Sequence, residues 1–404
     1  MTPDSLAVTA NTSSTQPENR LFYPALDGLR AVALLMVFFT HYAALPWGWG
    51  GVNVFFVLSG FLITGILYDS RNDLHRVRNF YVRRTLRIFP LYYGVFLALL
   101  LLEPFLHWQW TRSWFAWPLY LGNFLILRSP DVIHETSVQA LSAYAHLKCS
   151  RFPSSTVYLG HLWSLCVEEQ FYLVWPWIVF WVRSRRSLIA ICSVIAVAIP
   201  LLRVVAQHTL PTWMLSAEAL YRLTPFQLDS LLLGGLLALL WRGSDRQILV
   251  MVGRITAVIC ALAALAYLAI TLHQAMPDWR HNYHYPAWRL TWGLTFINIF
   301  SAAVILCALQ PGSVAYRLLA LRPLRWLGRI SYGAYILHDI PHTFYEHIIR
   351  LAGNHVHVIA THSGPACTVL GLVSTVVLAW LSFHFFESRF LNLKERLTIR
   401  GAAA

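Results

Sequence analysis

Charged residues are scarce in this sequence: Asp, Glu, Lys and Arg together make up 12% of its 404 residues. A soluble domain carries about 25% charged residues, so the deficit excludes an ordinary soluble globular protein. The composition is instead 57% hydrophobic, and the mean hydropathy is +0.54. Few charges combined with long apolar runs indicate an integral membrane protein.

Cysteine is also rare and follows no pattern. The six cysteines are scattered without a CxxC spacing, and most lie in apolar runs, where cysteine behaves as a small hydrophobic residue. The sequence therefore predicts neither a disulfide framework nor a zinc site. Residues 1–20 have no apolar segment of their own, which excludes a signal peptide and predicts a disordered cytoplasmic tail.

Acidic residues are few compared with basic ones, because 18 acidic against 31 basic residues give a net charge of +13. In a soluble protein this excess would suggest nucleic-acid binding. In a membrane protein the positive-inside rule accounts for it, since cytoplasmic loops collect Lys and Arg. We therefore expect the basic residues to face membrane lipids and the cytoplasm, and we expect no nucleic-acid partner.

Ten apolar stretches are long enough to cross a membrane as helices of about 20 residues. They are residues 26–45, 51–68, 88–106, 161–182, 187–206, 222–241, 253–272, 289–309, 326–349 and 365–386. Ten crossings with both termini inside place every basic cluster in the cytoplasm. A shorter stretch, 113–128, would reverse the later loops if it also crossed, so we predict a re-entrant or interfacial segment.

The predicted fold class is thus all-α: a polytopic protein of about ten transmembrane helices, with both termini cytoplasmic. We expect one membrane domain over residues 21–390 and a basic cytoplasmic tail over 391–404. The expected location is the inner (cytoplasmic) membrane of the cell, as a multi-pass protein.

The first apolar stretch, LDGLRAVALLMVFFTH (26–41), retains Arg30 and His41. Their separation of eleven residues is close to three helical turns, so both lie on one face about 16 Å apart along the axis. Alone, Arg30 could snorkel to lipid headgroups and His41 could be a satisfied packing residue. Ionisable groups inside a membrane are costly and usually functional, and the pair on one face favours function.

Two further sets of polar residues could carry chemistry. In FYVRRTLRIFPLYY (80–93), Arg84 and Arg87 share a helix face and could hold a polyphosphate, although ordinary positive-inside anchoring explains them equally well. In HLWSLCVEEQFYLVWP (161–176), Glu168 and Glu169 lie inside a span, and Glu168 shares a face with Tyr172. Two intramembrane carboxylates without a local cation are difficult to explain as structure.

Weaker signals remain. In SYGAYILHDIPHTFYEH (331–347), a rough polar stripe that could line a cavity is formed by Ser331, Tyr335, His338, His342 and Glu346. Asp229 is a lone carboxylate in another span. Gly234 and Gly235 are better explained by close helix packing. A histidine pair in HNYHYP (281–286) could bind a metal, but without a third ligand we predict a solvated loop and no metal site.

Together these segments resemble the acyltransferase-3 family of integral-membrane O-acyltransferases. The resemblance is carried by the stretches above, by GGVNVFFVLSGFLITGIL (50–67) and by FHFFESRF (383–390), so it covers nearly the whole chain. It implies transfer of an acyl group, commonly acetyl, from a cytoplasmic acyl-CoA donor to hydroxyls of extracytoplasmic or membrane-linked glycans. This is polysaccharide modification by O-acetylation, within carbohydrate biosynthesis.

The resemblance also implies roles for individual residues. His41 matches the catalytic histidine and Arg30 its motif partner, while Arg84 and Arg87 match the paired arginines. Two residues match later motifs: Glu168 the glutamate of WSLxxE, and His338 the histidine of SYxxYxxH.

The chain departs from the family pattern in three places. Asn53 replaces a common aspartate, so this position does not require a charge but can still form a hydrogen bond. Arg389 replaces a usual proline after Glu387. Many relatives carry an added SGNH-type domain, which this sequence lacks, so a second transfer step is expected to need a separate periplasmic partner protein.

The resulting hypothesis threads acyl-CoA inward along the first helix. Its phosphates bind Arg84, Arg87 and Arg30, and its thioester reaches His41, which acts as general base or as acyl-accepting nucleophile. Glu168 or Glu169 would orient His41, and no metal is required. The alternative is a polytopic transporter or flippase of a glycan-related or lipid substrate, disfavoured by the lack of an inverted repeat. The acceptor, whether glycan, glycolipid or a smaller sugar, stays open.

Overall fold

The structure is a computed structural model, and it describes residues 23–43, 45, 47–106, 112–127, 159–216, 218–273, 287–340 and 363–399. These residues fold into helices, turns and connecting segments, and none of them forms a β-strand. The predicted tail over 1–20 and the histidine pair at 281 and 284 lie outside the described residues.

The described helices are numbered here in chain order. The α-helices are α1 (Pro24–Ala43), α2 (Gly50–Asp69), α3 (Arg76–Leu106), α4 (Trp163–Trp181), α5 (Arg185–Thr209), α6 (Thr212–Ser216), α7 (Ala219–Arg222), α8 (Leu228–Trp241), α9 (Arg246–His273), α10 (Trp292–Ala308), α11 (Val314–Leu319), α12 (Arg322–Arg329), α13 (Ser331–Leu337), α14 (Ser363–Leu381) and α15 (Ser388–Leu397). Short 3₁₀ helices cover Arg112–Ala116, Gly122–Leu127, Gly160–Leu162, Thr224–Gln227 and Ala287–Arg289, and a π-helical turn covers Ser382–Glu387.

Seven of the described helical segments are long and apolar enough to cross a membrane. They include all or most of α1, α2, α3, α5, α8, α9 and α14, and the 19-residue α4 and 17-residue α10 lie beside them. Nine of the ten predicted spans therefore coincide with helices. The prediction of an all-α polytopic membrane protein is confirmed, while the number of crossings and the location of the termini stay predictions.

The tenth predicted span, 326–349, is not one continuous helix. Helix α12 ends at Arg329 and α13 begins at Ser331, with a break at Ile330, and residues 341–349 lie outside the described part of the chain. The break separates chemically different segments, because α12 carries three arginines whereas α13 is largely buried. Gly328 anchors α12 to α1, since a Cβ there would lie 1.8 Å from the carbonyl oxygen of Asp27.

The ambiguous stretch 113–128 does not form a membrane-length helix over its described residues. It contains two 3₁₀ helices of five and six residues, which are too short to cross a bilayer. Trp117 is buried, and its carbonyl oxygen accepts a hydrogen bond of 2.6 Å from the hydroxyl of Tyr92 on α3. The segment thus packs against α3, in agreement with the prediction that it does not span.

Helix α2 is the centre of the bundle, because it contacts α1, α4, α8 and α10 and 78% of its apolar window is buried. It crosses α8 at backbone contact. A Cβ on Gly60 would lie 1.8 Å from the carbonyl oxygen of Leu231, and one on Gly234 would lie 2.0 Å from that of Val57. The prediction that Gly234 serves close helix packing is confirmed.

Peripheral helices expose apolar side chains to their surroundings. Only 28% of the apolar window of α5 and 17% of that of α9 is buried. Val197 and Leu262, for example, are 65% and 61% exposed. Such surfaces are stable in contact with lipid tails, which are as apolar as the side chains themselves.

Candidate active site

A cavity, here called the arginine cavity, lies between α1, α2, α3, α4 and α13 and contains about 770 Å³ of empty space, part of it open to solvent. The residues lining it include Arg30, Arg84, Arg87, Glu168 and Tyr172. These five were predicted from motifs on three separate helices, and the fold brings them to one place.

The three arginines of the cavity come from two helices. Arg30 lies in the second turn of α1, and Arg84 and Arg87 lie about one turn apart on α3. Three guanidinium groups and the single carboxylate of Glu168 are the charged groups of the lining, so the charged lining is positive. Guanidinium groups bind phosphate oxygens through paired hydrogen bonds, and the cavity therefore suits a ligand that carries phosphate.

Glu168 belongs to a chain of hydrogen bonds on one wall of the cavity. The Tyr172 hydroxyl donates to Oε2 of Glu168 at 2.9 Å and is also hydrogen-bonded to the hydroxyl of Ser59. The guanidinium carbon of Arg84 lies 4.8 Å from the centre of the Tyr172 ring, in cation–π geometry. Glu169 does not line the cavity, and its Oε1 is buried without a hydrogen-bond partner among the described residues.

A π-helical turn supplies a further carboxylate near Arg87. The side chain of Glu387 is buried, accepts a hydrogen bond of 2.9 Å from the Ser382 hydroxyl and attracts Arg87 electrostatically. π-Helical turns are rare and often occur at functional sites. Sequence reasoning noted Glu387 only as a motif match and gave it no role, although FHFFESRF carried the signal.

His41 lies in a second group of side chains, here called the histidine cluster: His41, His161, His338 and Asp339. Nδ1 of His41 lies 2.8 Å from Nε2 of His338, and the two ring planes are within 5° of parallel. The Oδ2 of Asp339 lies 4.0 Å from Nδ1 of His41 and 3.5 Å from Nδ1 of His161. The His338, His161 and Asp339 side chains are buried, whereas that of His41 is 19% exposed.

Backbone contacts fix the tautomer of His338. Its Nδ1 lies 2.7 Å from the carbonyl oxygen of Tyr335, and a carbonyl oxygen only accepts, so Nδ1 carries the hydrogen. In a neutral ring Nε2 is then the acceptor, and Nδ1 of His41 donates to it. A neutral His41 is left with an unprotonated Nε2. That nitrogen is suited to remove a proton or to attack a carbonyl carbon.

The structure places Asp339, and not Glu168, as the carboxylate beside His41. The hypothesis that Glu168 or Glu169 orients His41 is not supported by these positions, because Glu168 is hydrogen-bonded to Tyr172 in the arginine cavity. Asp339 was missed although it directly follows His338 in SYGAYILHD. It could not be found by helical periodicity, since α13 ends at Leu337 and Asp339 lies in the bend that follows.

The cavity and the cluster meet at Tyr335. Tyr335 and Ser164 line the arginine cavity, and their hydroxyl groups are hydrogen-bonded to each other. On its other side the Tyr335 ring lies 5.6 Å from that of His338, measured between ring centres. Of the predicted polar stripe, Ser331 and Tyr335 therefore line the cavity and His338 contacts His41, while residues 342 and 346 lie outside the described residues.

Asn53 and Asp229 lie away from the cavity in a separate buried network. Asp229 is not the lone carboxylate that the sequence suggested, because Nη2 of Arg203 from α5 lies 2.6 Å from its Oδ2. Nδ2 of Asn53 donates to Oε1 of Gln227 at 3.2 Å and to Oδ1 of Asn298 at 3.0 Å. A hydrogen-bonding role for Asn53 is thus supported, and both residues join helices α2, α5, α8 and α10.

Metal ligation was not predicted from the sequence. Within the described ranges no group of three His, Cys, Asp or Glu side chains is arranged to hold a metal ion. In the histidine cluster, carbonyl oxygens already occupy Nδ1 of His338 and Nε2 of His161.

Comparison with known proteins places the chain in a family. The model of the acyltransferase-3 family, described as an acyltransferase domain, matches residues 23–384. YrhL of Bacillus subtilis strain 168 is 30% identical over 391 residues, covering 92% of this chain and 55% of the relative. The peptidoglycan O-acetyltransferase OatA of Listeria monocytogenes is 28% identical over 382 residues, covering 92% of this chain and 56% of the relative.

The O-acetyltransferase OatA of Staphylococcus aureus strain NCTC 8325 is 26% identical over 385 residues, covering 91% of this chain and 57% of the relative. The chain thus spans little more than half the length of these curated relatives. No solved structure matches the chain.

Proposed function

Because the chain belongs to the acyltransferase-3 family, we propose that it is a membrane O-acetyltransferase that uses acetyl-CoA as donor. The observation that supports this most directly is the meeting of the arginine cavity with the histidine cluster. The arginine cavity suits a donor that carries phosphate, and the histidine cluster presents a basic nitrogen. The proposed location is the inner membrane, with the donor in the cytoplasm and the acceptor on the outer side.

The donor would bind through its phosphates. Arg84 and Arg87 would hold the phosphates of CoA, with Arg30 as a third contact, and the pantetheine arm would extend through the cavity toward Tyr335. Arg30 and His41 are separated by about 16 Å along α1, so an extended arm is required to bring the thioester to His41. Tyr335 and Ser164 line the cavity and are hydrogen-bonded to each other, and we expect this hydrogen bond to open when the arm passes toward His41.

The reaction would transfer the acetyl group from sulfur to oxygen. In the direct route, Nε2 of His41 takes the proton of the acceptor hydroxyl while the oxygen attacks the thioester carbonyl carbon. The C–O bond forms, the C–S bond breaks, and the leaving thiolate receives the proton from His41. In the alternative route Nε2 attacks the thioester carbonyl carbon, the C–S bond breaks and CoA leaves as a thiolate. The acceptor oxygen then attacks the acetyl group on Nε2, the C–N bond breaks, and the hydroxyl proton passes to the thiolate. The unprotonated Nε2 serves either route.

The acceptor would be a glycan hydroxyl. The Listeria relative is named a peptidoglycan O-acetyltransferase, so peptidoglycan sugar is the first acceptor to test, ahead of other cell-surface glycans and glycolipids. A separate periplasmic partner could complete delivery to the final acceptor.

The test is mass analysis of peptidoglycan and surface glycans from cells that lack this protein, complemented with wild type or with His41→Ala. We expect an increment of one acetyl group with wild type and its loss with His41→Ala at equal membrane abundance. An increment with both proteins would show that His41 is not required. No increment with either would favour another acceptor or the transporter alternative.

A further inference from the structure

Two buried titratable side chains of the histidine cluster have no role in the proposed reaction. His161 and Asp339 are 3% and 1% exposed, and Nδ1 of His161 faces Oδ2 of Asp339 at 3.5 Å. Nδ1 of His161 has no hydrogen-bond partner among the described residues. They come from distant parts of the chain, a 3₁₀ turn before α4 and the bend after α13, so their meeting is a product of the fold.

The position of hydrogen on His161 follows from its other nitrogen. Nε2 lies 3.0 Å from the carbonyl oxygen of Ile336, so Nε2 carries a hydrogen. In a neutral ring, Nδ1 would then point a lone pair at the Asp339 carboxylate. Two buried acceptors facing each other are strongly unfavourable, and one proton between them removes the conflict. With the proton on Nδ1 of His161 the pair has no net charge as a whole, and Asp339 keeps the carboxylate charge that faces His41.

We infer that His161 and Asp339 share one proton and act as a positioning pair for His41. Through His338, the cluster keeps Nδ1 of His41 protonated and leaves Nε2 as the reacting atom. Asp339 lies 4.0 Å from His41 and stabilises the imidazolium that forms when Nε2 takes a proton. The inference rests on the proposed function only in making His41 the reacting group.

Titratable groups other than His161 and Asp339 also surround His41 and could affect its protonation. Among the described residues they are His338 and Tyr335 from α13 and its C-terminal bend, Tyr42 on α1, and Cys367, which packs against Tyr42 from α14. None of these four carries a carboxylate. Among the described residues, Asp339 is therefore the acidic group near His41 whose charge a substitution can remove.

The shared proton predicts opposite effects for its two partners. Asp339→Asn removes the carboxylate, so the His41 imidazolium loses its stabilising charge and His41 becomes less basic. His161→Gln removes the ring nitrogen that holds the shared proton, so less positive charge lies beside Asp339, which is 4.0 Å from Nδ1 of His41, and His41 becomes more basic. If His161 and Asp339 had only a structural role, their substitutions would not shift the basicity of His41 in opposite directions.

The experiment measures the protonation of His41 without any donor or acceptor. Purified protein is treated with diethyl pyrocarbonate, which reacts with unprotonated imidazole, and mass spectrometry follows modification of His41 across pH. Relative to wild type, we expect the midpoint to fall by about one pH unit in Asp339→Asn and to rise by about one to three units in His161→Gln. Tyr42→Phe is the matched control, because it removes a hydroxyl that donates to the His338 carbonyl oxygen at 2.6 Å and leaves all ring nitrogens in place; its midpoint should not move.

Unshifted midpoints, or shifts of both variants in the same direction, would overturn the shared proton. If one variant fails to give a monodisperse protein by size-exclusion chromatography, the other decides alone, and the absence of its predicted shift overturns the inference. Because the readout needs no turnover, the predicted shifts without any glycan acetylation would reject only the proposed reaction. Acetylation that depends on His41 without the shifts would reject only the pair.

Discussion

Each guanidinium group of the arginine cavity has a different neighbour. Arg84 rests on the ring of Tyr172, Arg30 donates a single hydrogen bond to Asp27, and Arg87 faces Glu387 electrostatically. A guanidinium group has five N–H donors, and single contacts of this kind leave most of them for a ligand. The side chains are thus oriented toward a common space without being consumed by bidentate ion pairs.

Replacing both Arg84 and Arg87 by Ala should abolish most of the affinity for acetyl-CoA. Hydrogen bonds to charged groups contribute about 1.5–3 kcal/mol each, so the double variant should raise the Kd by about 100-fold or more. Isothermal titration of detergent-purified protein measures this directly.

Arg83 offers a matched control for that titration, because it is adjacent in sequence but does not line the cavity. Arg83→Ala should keep the Kd within about threefold of wild type. Equal Kd values for the double variant and the wild type would remove the phosphate assignment.

At the scale of elements, the crossing of α2 and α8 positions the α2 side chains that line the arginine cavity. α2 carries six of the residues that line the arginine cavity, Ser59 among them, and it meets α8 through Gly60 and Gly234 without intervening side chains. Any side chain at the crossing must push the helices apart, because the nearest atoms belong to the opposing backbone.

Gly234→Ala should therefore destabilise the protein by about 1–3 kcal/mol, the usual cost of overpacking. Its added methyl group would lie 2.0 Å from the carbonyl oxygen of Val57. A thermal unfolding scan followed by tryptophan fluorescence should show a lower Tm. Gly312→Ala is the control, since nothing lies within 4 Å of a Cβ there, and its Tm should not change. Equal Tm values for both variants would show that α2 and α8 can separate at little cost.

Helix positions could be predicted because apolar length and charge are local properties of the sequence. The same holds for the shared face of Arg30 and His41 and for the pairing of Glu168 with Tyr172, which follow from helical periodicity. The break at Ile330 was missed because both sides of it are helical and no proline marks it.

Contacts between helices could not be predicted, because no sequence rule states which spans are neighbours. Arg203 as the partner of Asp229, and Asp339 as the carboxylate beside His41, both depend on how α5 packs on α8 and how α13 packs on α1. Of the candidate site, the arginines and His41 were named from the sequence, whereas the carboxylate that the structure places beside His41 is Asp339 and not the expected Glu168.

For the whole molecule, one face collects the basic ends of the helices. Tyr23 before α1 accepts a hydrogen bond of 3.1 Å from Trp241 at the end of α8, and Asn79 in α3 donates to the carbonyl oxygen of Ile399 at 2.9 Å. Both ends of the described chain therefore lie on this face. Residues 391–397, predicted as part of a basic tail, continue as helix α15.

The positive-inside rule predicts that this basic face lies in the cytoplasm. The opposite face of the protein then lies on the outer side of the membrane. Ser244, between α8 and α9, lies on the basic face, and Thr212, at the start of α6, lies on the opposite face; both are exposed. In a Cys149→Ser background, Thr212→Cys should react with a membrane-impermeant maleimide in intact cells, provided the reagent can cross any outer envelope. Ser244→Cys should react only after the membrane is opened.

The five described native cysteines are all buried and should stay unlabelled in the parent, which is the control for both positions. Labelling of Ser244→Cys in intact cells would show that the protein has the opposite orientation in the membrane. The arginine cavity would then open away from the cytoplasmic pool of acetyl-CoA, and the donor assignment would fail together with the topology. Sidedness is thus a test of chemistry as well as of fold, because the same basic residues that orient the helices are the ones proposed to bind the donor.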